Sequence, residues 1–296
     1  MTDAQRTRKR KKLWKKRRRR RRLWQFCKIA ILMGIIVYLM KYGIQKIDMP
    51  FSVFSSGKNY VVGIPEKRTS EEIYQKLGKM AHSDKDIKRI YINKEEYPLE
   101  LLAGVVNNPE MVSFAKGYLT ASGEKNDRFT KKEGKGEHPL LLQWDKRWGY
   151  CSYGGSVIGL SGCGPTCLSM VILDLTGDKT ATPNAIAQFS EENGYYVEGT
   201  GTSWALMTDV SSGYGVTARE LSLSENVMKQ ELDAGHRIIC AVGPGDFTTA
   251  GHYIVIYGYD RDGFQVNDPN CIARSKKSWS YDRISSQIKN LWCYQV

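Results

Sequence analysis

The stretch 159–175, GLSGCGPTCLSMVILDL, places a cysteine between two glycines directly ahead of an apolar run. Its apolar residues recur at helical spacing, which predicts a buried helix over 163–176. Pro165 suits the first turn of that helix. Cys163 would then lie at a helix N-terminus, where the helix dipole and unpaired backbone N–H groups stabilise a thiolate over a thiol. The residues that define the spacing are Leu168, Val171, Ile172 and Leu175.

Cys163 alone does not establish a nucleophile, because for a single cysteine a small residue packed at a helix start is the favoured explanation. A zinc site at Cys163-x-x-x-Cys167 is the weaker alternative, since no second Cys pair or Cys/His pair stands at zinc-ligand spacing. Cys167, one turn further on, fits a buried apolar contact. No phosphate-binding glycine motif is present, so we predict no nucleotide and no other cofactor.

A cysteine nucleophile needs a basic partner, and the chain offers four histidines. His82 and His138 lie in helical and linker sequence, whereas His236 and His252 each follow a glycine and open a strand. His252 heads the stretch HYIVIYGYD, and the turn DRDG then returns the chain to Asp268. An acid at that place would orient the imidazole and stabilise its cation. A strand-edge histidine and a turn aspartate before proline are the alternatives.

Three stretches in this order, SGCGPTCLSMV, AGHYIVIYGYD and VNDP, resemble the papain-like cysteine peptidases of the bacteriocin-processing, double-glycine type. The resemblance is to their stand-alone branch, without an attached transporter, and it includes LLQWDKRWG ahead of the cysteine. It implies that Cys163 is the nucleophile, His252 the base and acid, and Asp268 the orienting residue. It also implies that Gln143 donates its amide to the oxyanion, beside the backbone N–H of Cys163.

Helix-like stretches come first in the C-terminal half and strand-like stretches follow, which predicts an α+β domain. The resemblance narrows this to a papain-like cysteine peptidase fold over residues 138–296. The predicted helices cover 163–176, 183–193, 202–212 and 224–234, and the predicted strands cover 236–243, 252–260, 264–268 and 291–296. Two questions stay open: whether Cys151 pairs with Cys271, and whether several aromatic residues line the cleft or fill the core. Those aromatic residues are Trp144, Trp148, Tyr150, Tyr153 and Trp204.

The charge of the chain is concentrated at its start. Residues 1–22 hold 14 of the 44 Lys and Arg residues and a single acid, Asp3, so the formal charge of +13 belongs to this run. We therefore do not predict a nucleic-acid partner from the basic pI. Residues 23–40, LWQFCKIAILMGIIVYLM, would rise about 27 Å as a helix, close to the roughly 30 Å of a bilayer's hydrocarbon core.

This pattern predicts a transmembrane signal anchor over 23–44, with residues 1–22 as a basic cytoplasmic tail that also attracts anionic lipids. A cleaved signal peptide and a buried helix are the alternatives. Residues 45–69 resemble a stalk, 70–119 a small helical segment beginning at Ser70, and 120–137 a polar linker.

The sequence thus predicts a bacterial, single-pass cell-membrane protein whose extracellular domain is a cysteine peptidase acting on a peptide or protein substrate. No ATPase motif is encoded, so coupling to export would need a separate partner. Two other classes stay open: a catalytically idle papain-like binding module and a surface-tethered structural protein. Within enzymes, an acceptor amine in place of water would make the same site a transpeptidase.

Overall fold

The computed structural model describes residues 60–122, 127–199 and 201–296. The basic tail 1–22, the anchor predicted over 23–44 and most of the stalk 45–69 lie outside these ranges. Within the described ranges, no helix is both long and apolar enough to cross a bilayer.

Four helices form the start of the described chain. The first begins with a capping box, in which the Thr69 hydroxyl accepts from the Glu72 backbone N–H and the Glu72 carboxylate accepts from the Thr69 N–H. Their apolar faces enclose a small core that includes Leu77 and Ile90. The helices are α1 (Ser70–Ala81), α2 (Lys85–Ile92), α3 (Leu99–Asn107) and α4 (Val112–Tyr118), with 3₁₀ turns at Lys94–Glu96 and Pro109–Met111.

This helical segment packs onto the rest of the chain, with which it forms one folded unit. The Phe114 ring stacks on the Tyr150 ring at 4.6 Å between centroids, and the Tyr150 hydroxyl donates to the Phe114 carbonyl over 2.8 Å. Glu110 accepts the backbone N–H groups of Ile272 and Ala273, at 2.8 and 3.1 Å. The helical segment is therefore attached at two places far apart in sequence.

The remaining chain alternates short helices with the strands of an antiparallel sheet, which confirms the predicted α+β class. The helices are α5 (Ile158–Ser161), α6 (Cys163–Thr176), α7 (Pro183–Glu192), α8 (Leu206–Asp209), α9 (Glu225–Asp233), α10 (Ile272–Ser275) and α11 (Tyr281–Ile284), with 3₁₀ turns at Ser211–Tyr214 and Ser285–Gln287. The strands are β1 (Ser152–Tyr153), β2 (Ser156–Val157), β3 (Tyr196–Val197), β4 (Gly201–Thr202), β5 (Thr217–Glu220), β6 (Arg237–Val242), β7 (His252–Asp260), β8 (Gly263–Asn267), β9 (Ser278–Trp279) and β10 (Ile288–Gln295).

Six of these strands form one sheet in the order β5-β10-β6-β7-β8-β9, and every pairing in it is antiparallel. Side chains on β6 alternate between two cores. Ile239 faces the core beneath α6, and Cys240 faces the core covered by α9 and α11. Because both faces of the central strands are buried, these strands read as apolar runs in the sequence.

Several details differ from the sequence-based prediction. The single helix predicted over 202–212 is instead the short strand β4, a loop and the one-turn helix α8. Strands β5 and β9 were not predicted. Part of the polar linker predicted over 120–137 packs on the domain that follows it. The Glu133 carboxylate forms a bidentate ion pair with the Arg147 guanidinium, with both N–O distances at 2.8 Å. No disulfide joins Cys151 to Cys271, and both side chains are buried in the described chain.

Candidate active site

Cys163 is the first residue of α6 and is partly exposed, whereas the helix behind it is buried almost throughout. The positions on either side of Cys163, Gly162 and Gly164, leave no room for a side chain. A Cβ on Gly162 would lie 2.6 Å from the Ile158 carbonyl oxygen, and a Cβ on Gly164 would lie 2.9 Å from the Thr202 side chain. Ile158 and Thr202 therefore pack closely against the backbone on either side of Cys163. Cys167 is fully buried, and burial raises the pKa of its thiol.

His252 and Asp268 meet because β7 and β8 are paired strands. Val255 lies opposite Asn267, so the start of β7 and the end of β8 share one edge of the sheet. Asp268 Oδ1 accepts a hydrogen bond from His252 Nε2 over 2.8 Å. His252 and Cys163 line the same cleft, and the thiol is near enough to the imidazole to contribute to raising its pKa. Since Nε2 faces Asp268, Nδ1 is the nitrogen left for the sulfur.

The electrostatics of this group favour an imidazolium. Burial by itself would lower the pKa of His252, but the charge and hydrogen bond of Asp268, with a further contribution from the nearby Cys163, outweigh it and raise the pKa to about 9. Burial would raise the pKa of Asp268, but the His252 charge and hydrogen bond, followed by the Arg274 charge, hold it below its usual range. The buried pair is thus a cation and an anion at neutral pH.

Asp268 has further partners that fix its orientation. Its second oxygen accepts from Arg274 Nη1 over 3.0 Å, and its first oxygen also accepts from the Asn270 backbone N–H over 2.8 Å. Arg274 is itself buried and donates to the Phe247 carbonyl over 3.2 Å. The sequence did not single out Arg274, because it opens the run RSKK, which has the composition of an exposed surface.

His236 is not brought to this group. Its Nδ1 contacts Glu231 Oε2 at 2.8 Å, and the Cys293 thiol donates to the same oxygen over 3.1 Å. The ligand atoms of these three side chains lie within 4.8 Å of one another, a geometry that could hold a metal ion. Arg219 also binds Glu231 at 2.5 Å, so hydrogen bonds already satisfy this carboxylate.

Gln143 is buried, and its side-chain amide has no N–H group free to donate to an oxyanion at Cys163. Its backbone N–H donates to the Pro269 carbonyl over 2.8 Å. Its side-chain amide donates to the carbonyls of Gly159 and Leu160, at 3.1 and 3.2 Å. The side-chain oxygen is buried without a hydrogen-bond partner. In this arrangement both amide hydrogens hold α5, the short helix ahead of Cys163.

Cys163 and His252 open onto a cleft of about 1050 Å³. Its lining includes Leu160 and Ser161 of α5, and Gly243 and Pro244, which follow β6. The aromatic residues divide between cleft and core: Trp204 lines the cleft and is 49% exposed, whereas Trp148 and Tyr153 are fully buried. The cleft is therefore large enough for several residues of an extended peptide.

A family model described as a Peptidase_C39 like family matches residues 137–295. The peptidase domain of Streptococcus ComA, a bi-functional ABC transporter involved in a quorum-sensing pathway, is similar at 19% identity, covering 45% of this chain and 89% of that chain, with a TM-score of 0.35. A C39-like peptidase from Bacillus anthracis is similar at 14% identity, covering 46% and 89%, with a TM-score of 0.30. No curated protein matches.

Proposed function

This chain belongs to the Peptidase_C39 like family, and from that membership we propose that it is a cysteine peptidase that hydrolyses peptide bonds with Cys163, His252 and Asp268. The family match agrees with the resemblance found in the sequence to peptidases of the double-glycine type. The observation that carries the proposal is the buried ion pair of His252 and Asp268, whose imidazole lines the same open cleft as the Cys163 thiol.

In the proposed mechanism the Cys163 thiolate attacks the scissile carbonyl carbon and forms a C–S bond. The imidazolium of His252 then gives its proton to the amide nitrogen as the C–N bond breaks, and the amine leaves. The neutral imidazole takes a proton from water, whose oxygen attacks the thioester and releases the acid and the thiolate. Asp268 keeps its charge throughout and orients the ring.

The oxyanion of this reaction needs hydrogen-bond donors. The backbone N–H of Cys163 lies in the first turn of α6, where helix geometry leaves it without an intrahelical acceptor. Gln143 can add a second donor only by giving up its bond to Gly159 or Leu160. We therefore propose the backbone donor as the resting component and a rotation of the Gln143 amide as the step that completes the hole.

The proposal is tested with the full-length protein and a library of peptides, with cleavage followed by mass spectrometry. Wild-type protein should cleave members of the library and Cys163→Ala should cleave none. Cys167→Ser is the matched control, since this second thiol is buried one turn away. Turnover that survives in Cys163→Ala would refute the thiol mechanism, and labelling of Cys163 by a peptidyl electrophile without any turnover would favour a binding module.

We also propose that the peptidase domain lies outside the cytoplasmic membrane, with residues 23–44 as the anchor. The support is the charge asymmetry about the apolar run 23–40. Protease added to intact cells should remove a C-terminal epitope while a cytoplasmic marker stays intact. Complete protection of that epitope, with another surface protein digested in the same sample, would refute this topology.

A further inference from the structure

The helical segment contributes one charged residue to the active-site cleft. Glu100 stands in the first turn of α3 and lines the cleft with Leu160 and Ser161. It lies outside the family match over 137–295, so it is an addition of this chain to the family domain. Helix α3 packs against α5, the helix that leads into Cys163. The helix that carries Glu100 therefore contacts the helix that leads into the nucleophile.

Glu100 has no compensating charge. The Glu100 side chain is exposed to solvent, and no hydrogen bond or ion pair of its carboxylate is found among the described residues; partial desolvation by neighbouring protein atoms raises its pKa. A carboxylate that has lost part of its hydration without gaining a partner is stabilised when a cation is placed beside it. The only other side chain in the described lining that carries a formal charge, apart from His252, is Lys289. It lies against Gly243, which follows β6.

The position of Glu100 is held by contacts at both ends of the helix that carries it. After α3, the Asn108 side chain donates to the Asn270 carbonyl over 2.5 Å, and Glu110 accepts two backbone N–H groups at the start of α10. The apolar residues Leu101 and Leu102 that follow Glu100 are fully buried. The carboxylate is thus presented by a fixed helix and not by a loop.

We propose that Glu100 is a specificity-determining residue, which binds a lysine or arginine side chain of the substrate peptide on the wall of the cleft beside Cys163. This inference rests on the proposed peptidase function and adds the substrate class to it. The apolar stem of a lysine or arginine would lie along the exposed Val197 and Trp204 side chains, which line the same cleft.

The test uses the full-length protein and peptidyl acyloxymethyl ketones, which alkylate an active-site thiol without requiring turnover. Each position of the peptide carries lysine, norleucine or glutamate in turn, and labelling of Cys163 is followed by intact mass. Norleucine matches the length of lysine without its charge. The variants are Glu100→Gln and Glu100→Lys, and the matched control is Glu96→Gln, an exposed acid of the same segment that is not part of the lining.

At one peptide position, wild-type protein should react about threefold faster with lysine than with norleucine, which is the size expected for an ion pair of an exposed carboxylate. Glu100→Gln should lose this preference, Glu100→Lys should prefer glutamate, and Glu96→Gln should behave as wild type. Higher salt should weaken the preference of the wild type. A preference for lysine that survives in Glu100→Gln, or that is absent in the wild type, overturns the inference.

The same peptides with an ordinary amide bond separate this inference from the proposed function. Lysine-selective labelling together with lysine-selective cleavage supports both. Lysine-selective labelling without any cleavage supports the subsite and refutes the peptidase. Cleavage that depends on Cys163 but is indifferent to lysine in both wild type and Glu100→Gln refutes the subsite and leaves the peptidase standing.

Discussion

Asp268→Asn removes the charge that keeps His252 cationic. At a pKa of about 9 the imidazole is almost fully protonated at pH 7. Without the carboxylate, burial dominates and the pKa of His252 should fall below its ordinary 6.5, which leaves less than about a quarter of it protonated at pH 7. The population of the ion pair with Cys163 should fall at least about fourfold.

The loss of orientation adds to this loss of charge. An asparagine can turn its amide group toward Nε2 and select the wrong tautomer, a change that lowers turnover by up to about 10⁴ in serine-protease triads. Turnover at pH 7 should therefore fall by more than fourfold and by less than about 10⁴. The assay is the rate of Cys163 alkylation by iodoacetamide between pH 5 and 10, read by peptide mapping, together with kcat/KM for one peptide substrate.

Asp268→Asn also leaves Arg274 buried without its partner, which costs about 3–5 kcal/mol of folding stability in comparable buried pairs. The double variant Asp268→Asn with Arg274→Met separates the two effects. It should regain stability to urea without regaining fast alkylation at pH 7. If Asp268→Asn alkylates with the wild-type pH profile while it is folded, the assignment of Asp268 as the residue that charges His252 is wrong.

The remaining predictions concern residues around this pair. His252→Ala should reduce turnover to background, whereas His236→Ala should remain close to wild type, because Glu231 holds His236 away from the cleft; the reverse result in kcat/KM would show that the histidines are misassigned. Gln143→Ala should lower kcat with little change in KM if its amide completes the oxyanion hole, and an unchanged kcat would limit the residue to holding α5. The raised pKa of His252 should make its contribution to the free energy of unfolding complete below pH 6.5 and lost as the pH rises through about 9, so urea midpoints should fall over that interval in the wild type and less in His252→Gln. Glu110→Ala should destabilise the protein by about 1.5–3 kcal/mol, since two backbone N–H groups lose a charged acceptor, and urea denaturation of this variant beside Glu96→Ala measures the difference.

The sequence located the parts of the site that depend on local structure. The helix at Cys163 follows from apolar spacing in one short stretch, and the approach of His252 to Asp268 follows from one hairpin turn. Both inferences need only neighbouring residues, and the structure brings these three side chains together. The need for glycine at 164 is not visible in the local sequence, because the space there is limited by Thr202, almost forty residues away.

Features that depend on distant contacts were missed. Strand β5 carries a polar sequence, TARE, and exists because it pairs with β10 more than seventy residues later. The stretch 202–212 has helical spacing. Its first residue, Thr202, instead belongs to β4, and its carbonyl accepts a hydrogen bond from the Tyr253 hydroxyl. The surroundings of Gln143 depend on how the chain between it and Cys163 folds back, which no motif encodes. Tertiary contacts outweighed local propensity in each case.

Arg274 and Glu100 illustrate a second limit of prediction from sequence, since the charge of a residue does not show where the fold will place it. Arg274 belongs to a basic run and yet is 4% exposed, with its guanidinium on Asp268. Glu100 belongs to a helical segment outside the family match and yet lines the cleft. Residues of this kind become candidates only once the fold places them.

The placement of β10 has a consequence for biosynthesis. This strand lies between β5 and β6, so the sheet remains divided until residues 288–295 have been translated. A nascent chain carries the thiol, the imidazole and the carboxylate before it carries β10, the strand that joins β5 to the rest of the sheet. We expect a ribosome-bound chain that ends before Ile288 to be inert toward its neighbours, so that the order of synthesis delays any proteolysis until β10 has been made.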